Sequence, residues 1–323
     1  MLKYINQYNF QIFLTFPTKV NRTFGYNMLS ILIPTYNYDC TALVAELQQQ
    51  ITASQITAEV IVLDDASPNT ELRNINKSIN RLPHCRWLVN EQNMGRARTI
   101  NRLASLAQYE FLLILDSDVF PVYHDFITRY CNYLHSCDAA IGGLAMRPQP
   151  PLPERMLRYK YGCKVEVRSV EQRAKKPFAD VHTSNILIRR DKFLSIRFNE
   201  KFTQYGHEDT LLGREMQRNN YSLLHIDNPV FHDGIESNEV FLNKTRIGIE
   251  NIRLHSSLLH DNVKLLQFYN KLRKCHIDNL IAHIFYFIEK PLLLNLNSRN
   301  PSLTLFNLYK VGYLCKIMRE KKI

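Results

Sequence analysis

Apolar runs of strand length alternate with segments of helical spacing through the first third of the chain, and each run ends in polar residues. Residues 28–33 form the first run, followed by Pro34-Thr35-Tyr36-Asn37; Pro34, lacking an N–H, is expected to end the strand's hydrogen bonding. Asp39 or Thr41 can cap a helix to about Gln50, in which Leu43, Val44 and Leu47 have helical spacing. A second apolar strand over 59–63 ends in Asp64 and Asp65. The pattern then predicts a helix over 70–80, a short strand over 86–90, a turn over 90–95 and a helix over 96–106. Leu112-Leu113-Ile114-Leu115 is apolar at every position and stops at Asp116-Ser117-Asp118.

Four strands joined by three helices, with short connections, imply an α/β fold with a parallel, doubly wound sheet. In such a sheet, ligands bind in the crevice beyond the C-terminal ends of the strands. The polar clusters at Thr35 to Asn37, at Asp64 and Asp65, and at Asp116 and Asp118 would all face that crevice. Carboxylates at the end of a buried strand are costly without a partner. Hard oxygen ligands suit Mn2+ or Mg2+ shared with a phosphate; the plainer reading is a strand-end turn with solvated Asp side chains. No Gly-x-Gly-x-x-Gly follows the first strand and there is no Walker A sequence, so neither nucleotide fingerprint is supported.

Further along, Pro148, Pro150, Pro151 and Pro153 stiffen a stretch that continues into charged residues 158–176; the whole of 147–177 reads as a mobile excursion over the crevice. A strand is expected over 181–190, and residues 202–206 lead into His207-Glu208-Asp209-Thr210 and a helix to about Arg218. Another strand over 223–232 ends near His232. From 241 the pattern is helical, with helices expected over 254–266 and 279–288, the latter stopping before Pro291. These divisions give an N-terminal extension at 1–27, a catalytic domain at 28–240 and a basic, mainly helical region at 241–323. Residues 1–27 have no clear period and are either an added element packed on the domain or an upstream stretch from an early start codon.

Charge sharpens this division. Of a net charge of +11, about +9 falls after residue 240, where 14 Lys/Arg face 5 Asp/Glu. The nearly neutral remainder argues against a nucleic-acid-binding surface. The basic region suggests contact with anionic lipid or an anionic acceptor. Seven cysteines, none in a Cys-x-x-Cys pair, fit a reducing compartment and argue against structural zinc. No secretory signal stands out, and no apolar stretch reaches the roughly 20 residues needed to span a bilayer. The expected location is cytoplasmic, with peripheral contact to the inner face of the membrane through the C-terminal region. The alternative is that its helices pack on the catalytic domain and bury Phe285, Phe287 and Leu292 to Leu294.

The ordered motifs Ser30-Ile-Leu-Ile-Pro-Thr-Tyr-Asn, Val60-Ile-Val-Leu-Asp-Asp-Ala-Ser, Asn93-Met-Gly, Leu115-Asp-Ser-Asp and Gly206-His-Glu-Asp resemble those of family 2 glycosyltransferases with the inverting GT-A fold. The resemblance runs from about Met28 to Gly234. It implies transfer of a sugar from a nucleotide-sugar donor to a hydroxyl of a glycan or lipid-linked saccharide, in cell-surface glycan synthesis. By the same resemblance, Pro34, Thr35, Tyr36 and Asn37 line the base, and Asp65, beside Asp64, hydrogen-bonds it. Asn93 belongs to the following turn, and Arg96 or Arg98 would reach the diphosphate. Asp116, Ser117 and Asp118 carry the Asp-x-Asp pair for ribose and metal–diphosphate, and His232 is a further metal ligand. Asp209 is the acidic base and Glu208 its neighbour. One departure is Ile100, which precedes Asn101 where many members have Arg. The processive synthases' Gln-x-x-Arg-Trp is missing too, since the one tryptophan, Trp87, lacks that context.

An Asp accepting from a base N–H favours uridine, hence a UDP-sugar, although guanine would also satisfy it. Asp118 is the expected direct metal ligand, with Asp116 on ribose or an ordered water. Each role has a structural rival. Asp209 could cap its helix, Glu208 could pair with an Arg of the excursion, and His232 could be a satisfied strand-end histidine. Asn185 could touch the acceptor or only satisfy backbone groups. A sugar nucleotidyltransferase would share the sheet and Asp pair, but it would carry a Gly-rich basic loop after the first strand. A non-catalytic glycan-binding relative would not be expected to retain Asp116, Asp118, Glu208 and Asp209 together.

Overall fold

The computed structural model describes residues 28–54, 56–200, 206–259 and 263–319. The expected N-terminal extension at 1–27, and residues 202–205 of the approach to His207, lie outside the described residues. The first four strands and three helices follow the predicted order: β1 (Met28–Thr35), α1 (Thr41–Ser54), β2 (Thr57–Asp64), α2 (Thr70–Asn76), β3 (Cys85–Val89), α3 (Arg96–Leu106) and β4 (Phe111–Leu115). Then come β5 (Val119–Pro121), α4 (Phe126–Cys131), β6 (Ala139–Ile141), β7 (Leu144–Ala145), α5 (Met156–Tyr161), α6 (Val170–Ala174), β8 (Asn185–Arg189), α7 (Arg190–Ile196), α8 (Glu208–Arg218), β9 (Leu223–His225) and β10 (Val230–His232). The C-terminal region is helical: α9 (Asn238–Leu254), α10 (Ser256–Leu259), α11 (Lys264–Lys274), α12 (Asp278–Leu296) and α13 (Leu303–Arg319).

Seven strands form a mostly parallel sheet in the order β3-β2-β1-β4-β8-β6-β9, with β8 antiparallel to both its neighbours. One face carries α1 and α4, where Leu43, Val44, Leu47 and Phe126 pack on Leu29, Ile31 and Ile33. The other carries α3, α7 and α8 on Leu32, Ile61, Leu112 and Ile114. Burial on both faces explains why β1, β2 and β4 are apolar without alternation. This is the α/β architecture and GT-A arrangement that the motifs imply, with a helical region appended.

Pro34 does not end β1. It stays in register with Leu63 of β2, while pairing of β1 with β4 stops at Leu32 and Ile114. The ring's missing donor faces the side where the ladder has already ended. The strand expected over 223–232 is split in two: β9 joins the main sheet, and β10 joins a small sheet with β5 and β7. The helix expected over 254–266 is interrupted as well, since α9 ends at Leu254 and the chain turns through His255 into the short α10. Conversely, α12 runs through Pro291 to Leu296. The proline ring lies on the exposed side, and burial of Leu292 and Leu296 among the C-terminal aromatics holds the helix beyond it.

The excursion at 147–177 is anchored rather than loose. Arg173 of α6 is buried and donates to the carbonyls of Ile141, Gly142 and Ile226, and its Nη1 lies 3.0 Å from His225 Nδ1. A Ser169–Gln172 capping box starts that helix. Leu157 of α5 joins Phe241, Phe285 and Phe306 in one core cluster, so the C-terminal helices pack on the excursion.

Candidate active site

The strand ends meet as expected. Thr35 and Asp64 are level in the β1–β2 register, and β4 delivers Asp116 beside them. A cleft of about 530 Å³ opens there, lined by Pro34, Thr35, Tyr36, Asp65, Arg96, Asp116, Ser117, Asp118, Glu208, Asp209 and His232 from the expected set. Asn37, Asp64 and Asn93 lie outside the lining. Asn37 has a positive φ of 50° and takes the Ser67 hydroxyl as acceptor for its N–H. Asp64 is buried and accepts from the Ser67 N–H at 2.6 Å, closing the turn after β2. Asn93 is exposed.

Asp65 accepts from Asn90 Nδ2 and the Met94 N–H on Oδ1, and from the Gly95 N–H on Oδ2. Its carboxylate thereby holds the turn before α3, at the positive end of that helix. Gly95 carries φ 85° there, a conformation that favours glycine. A carboxylate offers about four acceptor positions, so Asp65, which lines the cleft, keeps one. The strand-end Asp and the Asn-Met-Gly turn are thus one unit joined through the backbone.

Arg96, the first residue of α3, is the centre of the cleft. Its Nε and Nη2 reach Asp116 Oδ1 at 3.0 and 2.7 Å, and Nη2 also donates to Thr183 Oγ1 at 3.0 Å. Its Nη1 lies 3.5 Å from Asp209 Oδ1 and 3.7 Å from Glu208 Oε1. Burial disfavours its charge, but Asp116, Asp209 and Glu208 outweigh this and raise its pKa above the ordinary value. Arg98 points elsewhere, toward Glu200 at 3.7 Å. Of the two arginines weighed from the sequence, Arg96 is the one in the cleft.

Asp209 accepts from the Thr183 hydroxyl at 2.5 Å and from the Thr183 N–H at 3.3 Å. It does not cap its helix: α8 starts at Glu208, and the flanking residue is His207, left-handed at φ 73° with no side-chain cap. Glu208 accepts from the Gly206 N–H at 3.0 Å and pairs with Arg96 of α3. Burial, then repulsion from Asp209, raises the Glu208 carboxyl above the usual carboxylate range. Burial drives the neighbouring His207 down to about 4, so its ring is neutral at physiological pH.

Asp118 and His232 are brought together by the small sheet. Val119 pairs with His232 in the antiparallel β5–β10 register, and the Asp118 carbonyl accepts from the N–H groups of Asp233 and Gly234. Asp118 Oδ2 consequently lies 3.7 Å from His232 Nε2. Burial raises the Asp118 carboxyl, against the pull of His232 and with the push of Asp116. His232 is not a satisfied strand-end histidine, because its Nδ1 is buried with no hydrogen-bond partner among the described residues. Among those residues, no group of three His, Cys, Asp or Glu side chains forms a ready-made metal cage.

Several site residues carried no legible sequence signal. Thr183, just before β8, touches both Arg96 and Asp209. Gly234 leaves room for Asp118: a Cβ there would stand 2.0 Å from Asp118 Oδ2. Glu236 and Lys244, paired at 3.2 Å, and Arg158 of the excursion complete the far wall. Only the Gly after His232-Asp233 could have been suspected, as small residues often mark close approach. Asn185, by contrast, is fully buried away from the cleft, where it holds the Gly143 and Asn228 carbonyls and the Tyr130 hydroxyl.

A comparison with curated protein sequences finds no match. Among solved structures, the mannosyltransferase PcManGT from Pyrobaculum calidifontis, determined with GDP-Man and Mn2+, is 14% identical, with a TM-score of 0.53 over 91% of this chain and 88% of that one. S. aureus TarS is 18% identical over 88% of this chain, with a TM-score of 0.48, and this chain spans 55% of its length. The TarS 1–349 structure matches at 19% identity and a TM-score of 0.46, over 88% of this chain and 90% of that one. At these identities the PcManGT likeness speaks for the fold alone. The model of glycosyl transferase family 2 matches residues 30–197, just over half of the chain and the stretch that supplies Arg96, Asp116, Asp118 and Thr183. The chain belongs to glycosyl transferase family 2.

Proposed function

We propose that this cleft transfers a hexosyl or N-acetylhexosaminyl group from a UDP-sugar to a hydroxyl of a saccharide or lipid-linked saccharide, with inversion. The observation that carries the reading is Arg96, whose single guanidinium ties Asp116 to Asp209 and Glu208. The groups suited to a donor and those suited to an acceptor are thereby held together across the cleft. Thr35, Tyr36 and Asp65 offer a slot for the base, with the remaining Asp65 acceptor position on a base N–H. Arg96 supplies positive charge beside the leaving diphosphate.

Asp209 takes the acceptor's hydroxyl proton. The freed oxygen bonds to the anomeric carbon as that carbon's bond to the diphosphate oxygen breaks, and the nucleoside diphosphate leaves with the electron pair. Thr183 and Arg96 hold the Asp209 carboxylate in place before the acceptor arrives. A positioned base of this kind contributes about 10²–10⁴-fold.

Asp118 and His232 would hold Mn2+ or Mg2+. One carboxylate, one imidazole whose Nε2 faces it at 3.7 Å, and the donor's phosphate oxygens make a donor set that suits these ions. When bound, such an ion neutralises the charge that develops on the leaving phosphate. PcManGT, with the same fold, is described with GDP-Man and Mn2+.

The test is calorimetry and turnover on Asp209→Asn. Donor binding is expected to match wild type while transfer falls about 10²–10⁴-fold. Full transfer by Asp209→Asn would end this assignment. Thermal-shift measurements with UDP-, GDP- and dTDP-sugars and Mn2+ identify the nucleotide, with UDP expected to give the largest shift.

A further inference from the structure

The C-terminal helix α12 is apolar on two opposite sides. Its inner side, Ala282, Phe285, Leu292 and Leu296, is buried. Phe285 packs so closely on α13 that a Cβ at Gly312 would stand 2.1 Å from its ring. The outer side carries Leu280, Ile284, Phe287 and Leu294, at spacings of four, three and seven residues, which places them on one helical face. These side chains face solvent: Leu280 is 59% exposed, Ile284 46%, Phe287 66% and Leu294 76%, and the adjoining Tyr286 is 72% exposed. The packing alternative drawn from the sequence therefore holds for Phe285 and Leu292 and fails for Phe287 and Leu294. A long exposed apolar stripe of this kind marks an interaction surface.

Cations frame the stripe. Arg273 and Lys274 are exposed in the last turn of α11, just before α12, and Lys290 is exposed on the flank of α12. Beside the stripe, a hollow of about 330 Å³ between α12 and α13 is lined by Ala282, His283, Tyr286, Lys316 and Arg319. Lys316 bonds Glu289 at 2.8 Å, which holds its ammonium at the hollow's edge. No described helix is long and apolar enough to cross a membrane, so the stripe suits a helix lying in the plane of a bilayer. A two-fold pairing of the same face would set like cations of two copies against each other. That opposes self-association and favours an anionic partner.

We propose that the outer face of α12 docks the chain on an anionic lipid surface. Leu280, Ile284, Phe287 and Leu294 enter the boundary between headgroups and acyl chains, and the hollow lined by Lys316 and Arg319 takes a lipid phosphate. This docking is independent of the reading of the cleft.

Flotation of the full chain with vesicles tests it. The chain is expected to float with phosphatidylcholine vesicles containing phosphatidylglycerol, and to partition about tenfold less onto pure phosphatidylcholine or in high salt. The double variant Ile284→Glu, Phe287→Glu is expected to lose about tenfold or more of the binding, and Arg319→Glu about tenfold. All three side chains being solvent-facing or at the rim, melting temperature and transfer to a soluble acceptor should stay at wild-type values, and inorganic phosphate should release no more protein from the vesicles than sodium chloride of equal ionic strength. The proposal is overturned if neutral and anionic vesicles bind alike, if the double variant floats as well as wild type, or if inorganic phosphate releases the chain at an ionic strength where sodium chloride does not, since the hollow would then be a site for free phosphate. It is equally overturned if sedimentation reveals a dimer that the double variant dissolves, since the face would then belong to a second copy.

Discussion

On one wall of the cleft, Thr35, Asp65 and Asp116 project from the ends of neighbouring parallel strands, each followed by a short connection into its own helix or turn. On the other wall, Asp209, His232 and Lys244, with Thr183 buried behind Asp209, arrive from separate segments, joined by the antiparallel β4–β8 and β5–β10 pairings and by the packing of α9. The first wall is a property of repeated βα units. The second exists only where distant strands have found their register. Arg96 is the bridge, since it starts a helix of the first wall and pairs with carboxylates of the second. Damage to the first wall should therefore be local, whereas damage to the second should propagate across the cleft through Arg96 or Asp118.

Asp118→Ala removes a carboxylate from the turn that joins β4 of the main sheet to β5 of the small one. Mn2+-dependent donor binding should fall about a hundredfold by calorimetry, while binding without metal changes little. Equal losses with and without Mn2+ would mean that Asp118 serves the fold and not the ion.

Gly234→Ala touches no substrate group, yet its Cβ would collide with Asp118 Oδ2. Overpacking of this sort costs about 1–3 kcal/mol, and the Mn2+-dependent thermal shift should shrink with it. A variant with wild-type stability and an intact metal response would contradict the close β10–Asp118 approach.

Glu208 offers a gentler probe. Burial and Asp209 hold its folded pKa above the unfolded value, so the folded chain binds this proton more tightly. Its stabilising contribution is complete below the ordinary carboxylate range and is lost as pH rises through the raised folded value. Glu208→Gln should therefore raise the melting temperature near pH 8 by roughly 2–4 °C, the shift that about 1 kcal/mol produces, and by less near pH 4. His207, neutral down to about 4, adds no titration of its own near neutral pH. A lower melting temperature at pH 8 would show that the Arg96 pairing outweighs desolvation.

The smallest effect belongs to the turn behind the first wall. Asn93 is exposed, and Asp65 is held by the backbone N–H groups of its neighbours Met94 and Gly95. Asn93→Ala should change stability by no more than about 0.5 kcal/mol, with donor affinity unaltered. A large loss of donor affinity would move Asn93 into the binding site.

The alternation of apolar runs and helical spacings determined the first four strands and three helices, because a βα unit is written in consecutive residues. Arg96 to Leu106 is a helix in both the pattern and the structure. The ordered motifs were enough to place the chain in its family, and strand-end chemistry was enough to gather Asp65, Asp116 and Asp118 at one crevice. What stayed illegible was set by long-range pairing. No local pattern says that residues 223–232 divide between two sheets, that Val119 meets His232, or that Thr183 stands between Arg96 and Asp209. Burial was misread for related reasons. The charged stretch before β8 looked like a loose cover because its sequence does not reveal the three backbone carbonyls that take in Arg173. In α12 the sequence determined an apolar helix, but only the packing of Phe285 on Gly312 decided which side faces inward and left Phe287 and Leu294 in solvent. Composition records how much apolar surface a segment carries; which half of it is covered depends on the partners that the fold brings against it.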